Sequence, residues 1–234
     1  MTQAMGAPLT SSFVPARVSA RALLAAGAAA GPLFLGVGVA GGLTRDGFDF
    51  TRNALSQLSL GSPGWIQVAN FLLTGVLITA GAVGVRRAIG RGPGGTWAPR
   101  LIGAFGASFL VAGVFTADPG AGFPAGTPDG PGAMSAHGAV HMLAGTAGYL
   151  ALCAAFLVLA RHFAAHGRRG WAMTCRVVPV GVLAGFAASA TTVAAFTAGA
   201  GLGLLALTAV TTRLAAPARP TIHIHPYRGQ EPAA

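Results

Sequence analysis

The chain contains no lysine and very few acidic residues. Its 234 residues include fifteen arginines and five carboxylates, and charged residues make up 9% of the chain, whereas a soluble domain carries about 25%. The charged shell of a soluble domain is therefore missing. A basic stripe with interleaved aromatic residues is also missing, so we expect no nucleic-acid partner. The lack of lysine beside abundant alanine, glycine and arginine suggests a bacterial, GC-rich genome.

Long hydrophobic runs, in contrast, dominate the chain, and hydrophobic residues make up 53% of it. Six runs approach the roughly 20 residues that a membrane-spanning helix needs. They cover residues 20–43, 65–85, 101–117, 137–160, 171–194 and 197–214. A single helix over 177–214 would be about 57 Å long, nearly twice the hydrocarbon thickness of a bilayer. We therefore predict a hairpin there, with its break at 196–201.

The arginines alternate between the two sides of these runs. Thirteen of the fifteen fall on one side, before the first run, between the second and third, between the fourth and fifth, and after the sixth. The connections on the other side hold four aspartates and two arginines: Asp46, Asp49, Asp118, Asp129, Arg45 and Arg52. The positive-inside rule then predicts an all-α bundle of six transmembrane helices in the cytoplasmic membrane, with both termini in the cytoplasm.

The spans also set the domain organisation. We predict one transmembrane domain over 19–215, with disordered cytoplasmic tails at 1–18 and 216–234. The only two cysteines, Cys153 and Cys175, fall within the fourth span and near the cytoplasmic end of the fifth. Neither reaches the oxidising side of the membrane, so we expect two buried thiols and no disulfide.

Two local features interrupt the regular spans. Pro32 lies near the middle of the first span, where it should free a backbone carbonyl for a neighbouring helix to satisfy. In the loop 44–64, Thr51 is placed to cap a short helix that runs to Leu60, with Leu55 and Leu58 on one side. We interpret this segment as an interfacial helix that lies on the outer membrane surface.

Polar residues converge near the outer ends of the spans. The second span carries Gln67, Asn70 and Thr74 on roughly one face, and the fourth carries His137 and His141 one turn apart. Both spans start from the outside, and polar groups within a membrane tend to face the bundle interior. We therefore predict a polar pocket at the extracytoplasmic mouth. Its predicted ligand-binding residues are Asp46, Asp49, Arg52, Asn53, Ser56, Gln67 and Asn70.

The histidine pair admits more than one interpretation. His137 and His141 are spaced i, i+4, so they can bind one metal ion, and Asp118 is the candidate third ligand. Zinc held this way would activate water for hydrolysis. A metal-free acid–base role is a second alternative. We favour a structural role, in which His141 bonds to a polar side chain or a carbonyl, because the flanking glutamate of zinc-protease helices is missing. We expect no cofactor.

The run from Arg52 to Phe71, with Asn53, Ser56, Gln57, Trp65, Gln67 and Asn70, resembles a family of bacterial and archaeal multi-pass membrane proteins, domain of unknown function 998. Segments 31–34 and 115–119 and the position of His137 are similar to that family as well. The resemblance covers about residues 20–215 and implies six spans. It implies no activity, because the family has none established.

These observations rank three functions. The first is a membrane protein that binds a lipid, a small ligand or a partner through the outer pocket. The second is a membrane-embedded hydrolase or transferase that uses His137, His141 and Asp118. The third is a passive facilitator, which is disfavoured because the polar stripe of the second span ends at Thr74. Membrane lipids are the expected partners, with a membrane-protein partner or a second copy of the chain as alternatives.

Overall fold

A computed structural model describes residues 18–130 and 132–216, and six α-helices dominate this part of the chain. They are α1 Ala20–Thr44, α2 Gly64–Ile89, α3 Trp97–Val114, α4 Ala136–Ala165, α5 Arg169–Ala188 and α6 Val193–Ala215. All six are long and apolar enough to cross a membrane. The predicted six-helix, all-α architecture is thus confirmed. Apart from Val18 and Ala216, the predicted tails lie outside the described residues.

The six helices form a closed ring. Each helix packs against its neighbours in the chain, and α6 returns to pack against α1. One end of the ring carries both ends of the described chain and ten arginines, and we call it the arginine end: Arg21, Arg86, Arg87, Arg91, Arg100, Arg161, Arg168, Arg169, Arg176 and Arg213. The opposite end carries the loops 45–63 and 115–135, which we together call the cap. Cys153 and Cys175 are free and buried within the ring, as predicted.

Pairs of small residues bring neighbouring helices into close contact. A Cβ atom added to Gly27 of α1 would lie 2.8 Å from the Cα atom of Gly81 in α2. The same holds between α5 and α6, where a Cβ on Gly185 would lie 2.7 Å from the Cα of Gly199. Such contacts let backbones approach where lipid offers no hydrophobic driving force for association.

Pro32 frees a carbonyl in α1, and α6 satisfies it. Because proline has no N–H, the carbonyl of Ala28 loses its helical donor. The Thr208 hydroxyl of α6 donates a hydrogen bond to that oxygen at 2.9 Å. The prediction that a neighbouring helix would complete the broken ladder is confirmed.

The hairpin between α5 and α6 exists, but the predicted position of its break is wrong. The break lies at 189–192, and residues 196–201 belong to α6. Thr192 caps α6, because its side chain accepts a hydrogen bond from the N–H of Ala194 at 3.3 Å. Gly199, which lies within the predicted break, makes the close contact with Gly185.

The loop 45–63 also differs from the prediction. Its helix is a short 3₁₀ helix, Leu55–Ser59, and Thr51 does not cap it, because the Thr51 hydroxyl donates to Oδ1 of Asp49 at 2.6 Å. Leu55 and Leu58 do share one side, and they are only 6% and 2% exposed. The interpretation as an interfacial helix on the membrane surface is therefore wrong: the segment packs into the mouth of the bundle.

Glycines of α1 make room for this insertion. A Cβ on Gly38 would lie 2.9 Å from a methyl carbon of Leu55, and one on Gly41 would lie 3.3 Å from a methyl carbon of Leu58. The two leucines thus occupy space that larger residues on α1 would fill. The 3₁₀ helix thus packs against α1 and α2 at this end of the ring.

Candidate functional site

Two side-chain amides hold the cap together. The Asn53 side chain is fully buried; its Oδ1 accepts from the N–H of Asp49 at 2.9 Å, and its Nδ2 donates to the carbonyl of Ala121 at 3.2 Å. Gln57 Nε2 donates to the carbonyl of Gly120 at 3.2 Å. Loops 45–63 and 115–135 are therefore joined by Asn53, a predicted ligand residue, and by Gln57, which was not predicted.

Arg45 fastens the 3₁₀ helix to the end of α1. Its guanidinium donates to the carbonyls of Leu58 and Leu60, each at 2.7 Å, and lies 4.8 Å from the centre of the Phe123 ring. Partial burial lowers the pKa of Arg45 from its ordinary value. Two charge-assisted hydrogen bonds and a cation–π contact make this the best-anchored charge of the cap.

The remaining charges lie on the rim of the cap. Arg52 Nε lies 3.3 Å from Oδ2 of Asp49, and its Nη1 lies 3.4 Å from Oδ1 of Asp129. Hydrogen bonds from Thr51, and then the charge of Arg52, lower the pKa of Asp49. Asp46 is exposed. Three predicted ligand residues, Asp46, Asp49 and Arg52, thus lie in one loop at the rim of the cap, where Asp49 and Arg52 are paired.

Asp118 anchors the start of α4. Its Oδ2 accepts from the backbone N–H of Ser135 at 2.8 Å, and its Oδ1 accepts from the Ser135 hydroxyl at 2.5 Å. Ser135 is the N-cap residue of α4, where its hydroxyl accepts from the N–H of Gly138 at 3.0 Å. These bonds lower the pKa of Asp118, with smaller contributions from His137 and His141.

The two histidines have different surroundings. His141 is 7% exposed, and its Nδ1 lies 3.1 Å and 2.8 Å from the carbonyls of Ala112 and Phe115 at the end of α3. Carbonyls only accept, so Nδ1 carries the proton and Nε2 is the remaining polar atom of the ring. His137 is exposed and packs against the Phe115 ring at 5.1 Å.

His137, His141 and Asp118 do not form a metal-binding cluster in this arrangement. Over residues 18–130 and 132–216, no three His, Cys, Asp or Glu side chains come together in a way that could hold a metal ion. The carbonyl contacts of His141 correspond to the structural role that the sequence favoured.

An aromatic cavity lies between the helices below the 3₁₀ helix, and we call it the central cavity. Its volume is about 80 Å³. Five rings line it: Phe34, Phe71, Phe109, Tyr149 and Phe196. Its polar side chains are Ser56, Ser108, His141 and Thr197. The sequence predicted Ser56 and His141 as site residues but not the aromatic residues. An apolar residue in a membrane helix can face either lipid or the interior, and the sequence does not distinguish the two.

A larger cavity of about 440 Å³, which we call the side cavity, lies between α4, α5 and α6. It shares Ser56, His141, Gly145, Tyr149 and Phe196 with the central cavity. Its volume falls within the range of small-molecule sites, roughly 300–1,000 Å³. No arginine, aspartate or glutamate is among the side chains that line either cavity.

The polar face of α2 lies outside both cavities. Asn70 Nδ2 donates to the carbonyl of Phe34 in α1 at 3.1 Å and to Gln67 Oε1 at 3.2 Å. Gln67, Asn70 and Thr74 are at most 4% exposed, and Gln67 Nε2, Asn70 Oδ1 and Thr74 Oγ1 have no partner among the described residues. The predicted ligand residues Gln67 and Asn70 therefore contribute to the contact between α2 and α1.

Six membrane-spanning helices, closed by a cap over an internal cavity, define a multi-pass membrane protein. The family model described as "Protein of unknown function (DUF998)" matches residues 28–218. The chain belongs to this family, which confirms the resemblance. No curated protein and no solved structure matches the chain significantly.

Proposed function

We propose that the protein binds an amphiphilic ligand inside the bundle, with the apolar part of the ligand among the aromatic rings and its polar end at His141. The observation that carries this proposal is the position of His141. It lines both cavities, and its Nδ1 is held by two carbonyls, so that Nε2 is the ring atom left for a ligand. With the arginine end in the cytoplasm, the site lies in the outer half of the cytoplasmic membrane.

The apolar wall is well ordered. Phe34 packs edge-to-face against Phe71 and Phe109, with ring centres 4.9 Å and 5.0 Å apart. Tyr149 packs against Phe105 at 5.0 Å. Edge-to-face pairs fix the rings relative to one another, which supports a preformed rather than a collapsible cavity.

The polar end of the site lies under the cap. Ser56 comes from the 3₁₀ helix and lines both cavities together with His141. In this proposal the rim residues Asp46, Asp49 and Arg52 do not contact the ligand. Asn53 and Gln57 join the two loops of the cap above it. Ser56 is then the predicted ligand residue that reaches the ligand.

Filling the cavity tests this proposal. A Cβ on Gly145 meets nothing within 4 Å, and Gly145 lines both cavities, so Gly145→Leu inserts an apolar group and leaves the hydrogen bonds of His141 intact. Gly36 of α1 also meets nothing within 4 Å but faces outward, and Gly36→Leu is the matched control. Each protein is purified in detergent, and its co-purifying amphiphiles are quantified by native mass spectrometry.

We expect Gly145→Leu to lower ligand occupancy about tenfold, because overpacking costs about 1–3 kcal/mol. Gly36→Leu should match the wild type. Equal occupancy in both variants, with unchanged melting temperatures, would show that ligand binds elsewhere and would overturn the proposal.

A further inference from the structure

From the lining of the cavities we infer that the ligand is a neutral lipid with a hydroxyl group, and that it enters from the bilayer between α4 and α5. This inference rests on the proposed function, because it names the class of ligand and its route into the same site. Three observations carry it: a void between α4 and α5, the packing of that contact, and the absence of charge in the lining.

The void adjoins the side cavity and shares part of its lining. It measures about 30 Å³ and lies between α4 and α5, where Thr146, Tyr149 and Phe186 are shared with the side cavity. Leu150, Val182 and Leu183 complete its lining. These two leucines are 54% and 46% exposed on the apolar exterior, which faces acyl chains when the helices span a membrane. The site therefore approaches lipid at this point.

The α4–α5 contact is packed differently from the rest of the ring. At the other five contacts a glycine allows close approach: Gly27 to Gly81, Gly75 to Gly106, Gly148 to Ser108, Gly185 to Gly199 and Gly31 to Leu204. Across the described residues, no glycine does so between α4 and α5. Side chains rather than backbones meet there, and side chains can change rotamer without moving a helix.

Hydrogen bonds also join the cap to α6. The carbonyl of Thr51 accepts hydrogen bonds from the N–H of Val193 at 3.0 Å and from the Thr192 hydroxyl at 3.1 Å. These bonds fix the cap to the start of α6. An opening beside Asp118 and Met134 remains at the rim, and it is the competing route from water.

The residues that line the cavities determine which polar group the ligand can carry. No arginine or carboxylate lines the central cavity, the side cavity or the void, and burying an unpaired charge there would be costly. When the imidazole of His141 is neutral with its proton on Nδ1, its Nε2 can accept a hydrogen bond. A hydroxyl group donates such a bond without bringing charge. Anionic lipids would instead meet the arginine end.

The test follows transfer of a pyrene-labelled long-chain alcohol from phosphatidylcholine vesicles into the reconstituted protein. The matching pyrene-labelled carboxylic acid, held ionised at high pH, is the charged comparison. Leu183→Trp fills the α4–α5 void, Met134→Trp obstructs the opening at the cap, and Val180→Trp changes another exposed residue of α5 that does not line the void.

We expect the alcohol to bind and the carboxylate to be excluded. Leu183→Trp should slow loading about tenfold, because loading then requires a larger rearrangement, and it should leave the final occupancy unchanged. Met134→Trp and Val180→Trp should load at the wild-type rate.

The other outcomes separate the two proposals. Slow loading in Met134→Trp alone would overturn the lateral route and leave the binding function in place. Binding of the carboxylate instead of the alcohol would overturn the neutral ligand class. If Gly145→Leu binds the alcohol as the wild type does, the proposed cavity site itself is wrong.

Discussion

Asp118 and Gly138 act as a pair at the start of α4. The carboxylate of Asp118 holds Ser135 through two hydrogen bonds, and it lies directly against Gly138. A Cβ on Gly138 would come within 1.8 Å of Oδ2 of Asp118. The residue at this position must therefore be glycine as long as the carboxylate keeps its place.

Gly138→Ala should destabilise the protein by about 1–3 kcal/mol, because the added methyl displaces Asp118 from Ser135. Gly145→Ala, two turns later in the same helix, meets nothing within 4 Å and serves as the control. Thermal unfolding in detergent measures both variants. Equal melting temperatures for the two would contradict the contact between Asp118 and Gly138.

The same carboxylate makes stability depend on pH. Hydrogen bonds from Ser135 lower the pKa of Asp118 below its ordinary value of 3.8, so its contribution is fully present above that value and is lost as the pH falls through the lower, folded-state pKa. The gap in melting temperature between wild type and Asp118→Asn should therefore narrow below about pH 4. A gap that stays constant from pH 6 to pH 3 would contradict this role.

The sequence predicted which polar residues gather at the cap, but it did not predict what each one does. Asn53, Asp118 and Arg52 do lie at one end of the bundle. Some of their partners are backbone groups of loop 115–135, as in the bond from Asn53 to the carbonyl of Ala121 and the bond from the Ser135 N–H to Asp118. Residue types and spacing carry no information about such carbonyls, whose positions depend on the folded loop.

At the scale of elements, the contact between α1 and α6 depends on the hydrogen bond from Thr208 to Ala28. We expect Thr208→Val to destabilise the protein by about 1 kcal/mol, since it leaves the Ala28 carbonyl without a donor. In a Pro32→Ala background the loss should shrink, because Ala at position 32 supplies the missing N–H. Unfolding in mixed micelles measures the stability of the two single variants and of the double variant. Thr212→Val, on the exposed face of α6, is the control. An undiminished loss in the Pro32→Ala background would refute this account.

Helix lengths were largely predictable, and helix ends were less so. Hydrophobic runs located all six helices, because a span must satisfy its own backbone in lipid. The break before α6 was misplaced because the length of the run 177–214 requires a break but does not locate it. Gly199, within the predicted break, faces Gly185 in the structure. The 3₁₀ helix was misplaced for a similar reason, since its burial depends on space at Gly38 and Gly41 of α1.

For the whole molecule, the predicted orientation has a direct test. Asp129 on the cap and Arg91 at the arginine end are exposed, and both native cysteines are buried. In intact cells, an impermeant maleimide should label Asp129→Cys, and it should label Arg91→Cys only after permeabilisation. The reverse labelling pattern would show that the bundle has the opposite orientation, with the cap in the cytoplasm.

The closed ring has a consequence for how the molecule comes apart. In an open row of helices, the first and last each have one neighbour and can detach by breaking a single interface. Here α1 packs against both α2 and α6, so it is held on two sides, as α4 is. Detaching any one helix breaks two interfaces and exposes the aromatic interior. Fraying from the ends of the chain is thus no easier than opening in its middle, and the bundle should unfold as one cooperative unit.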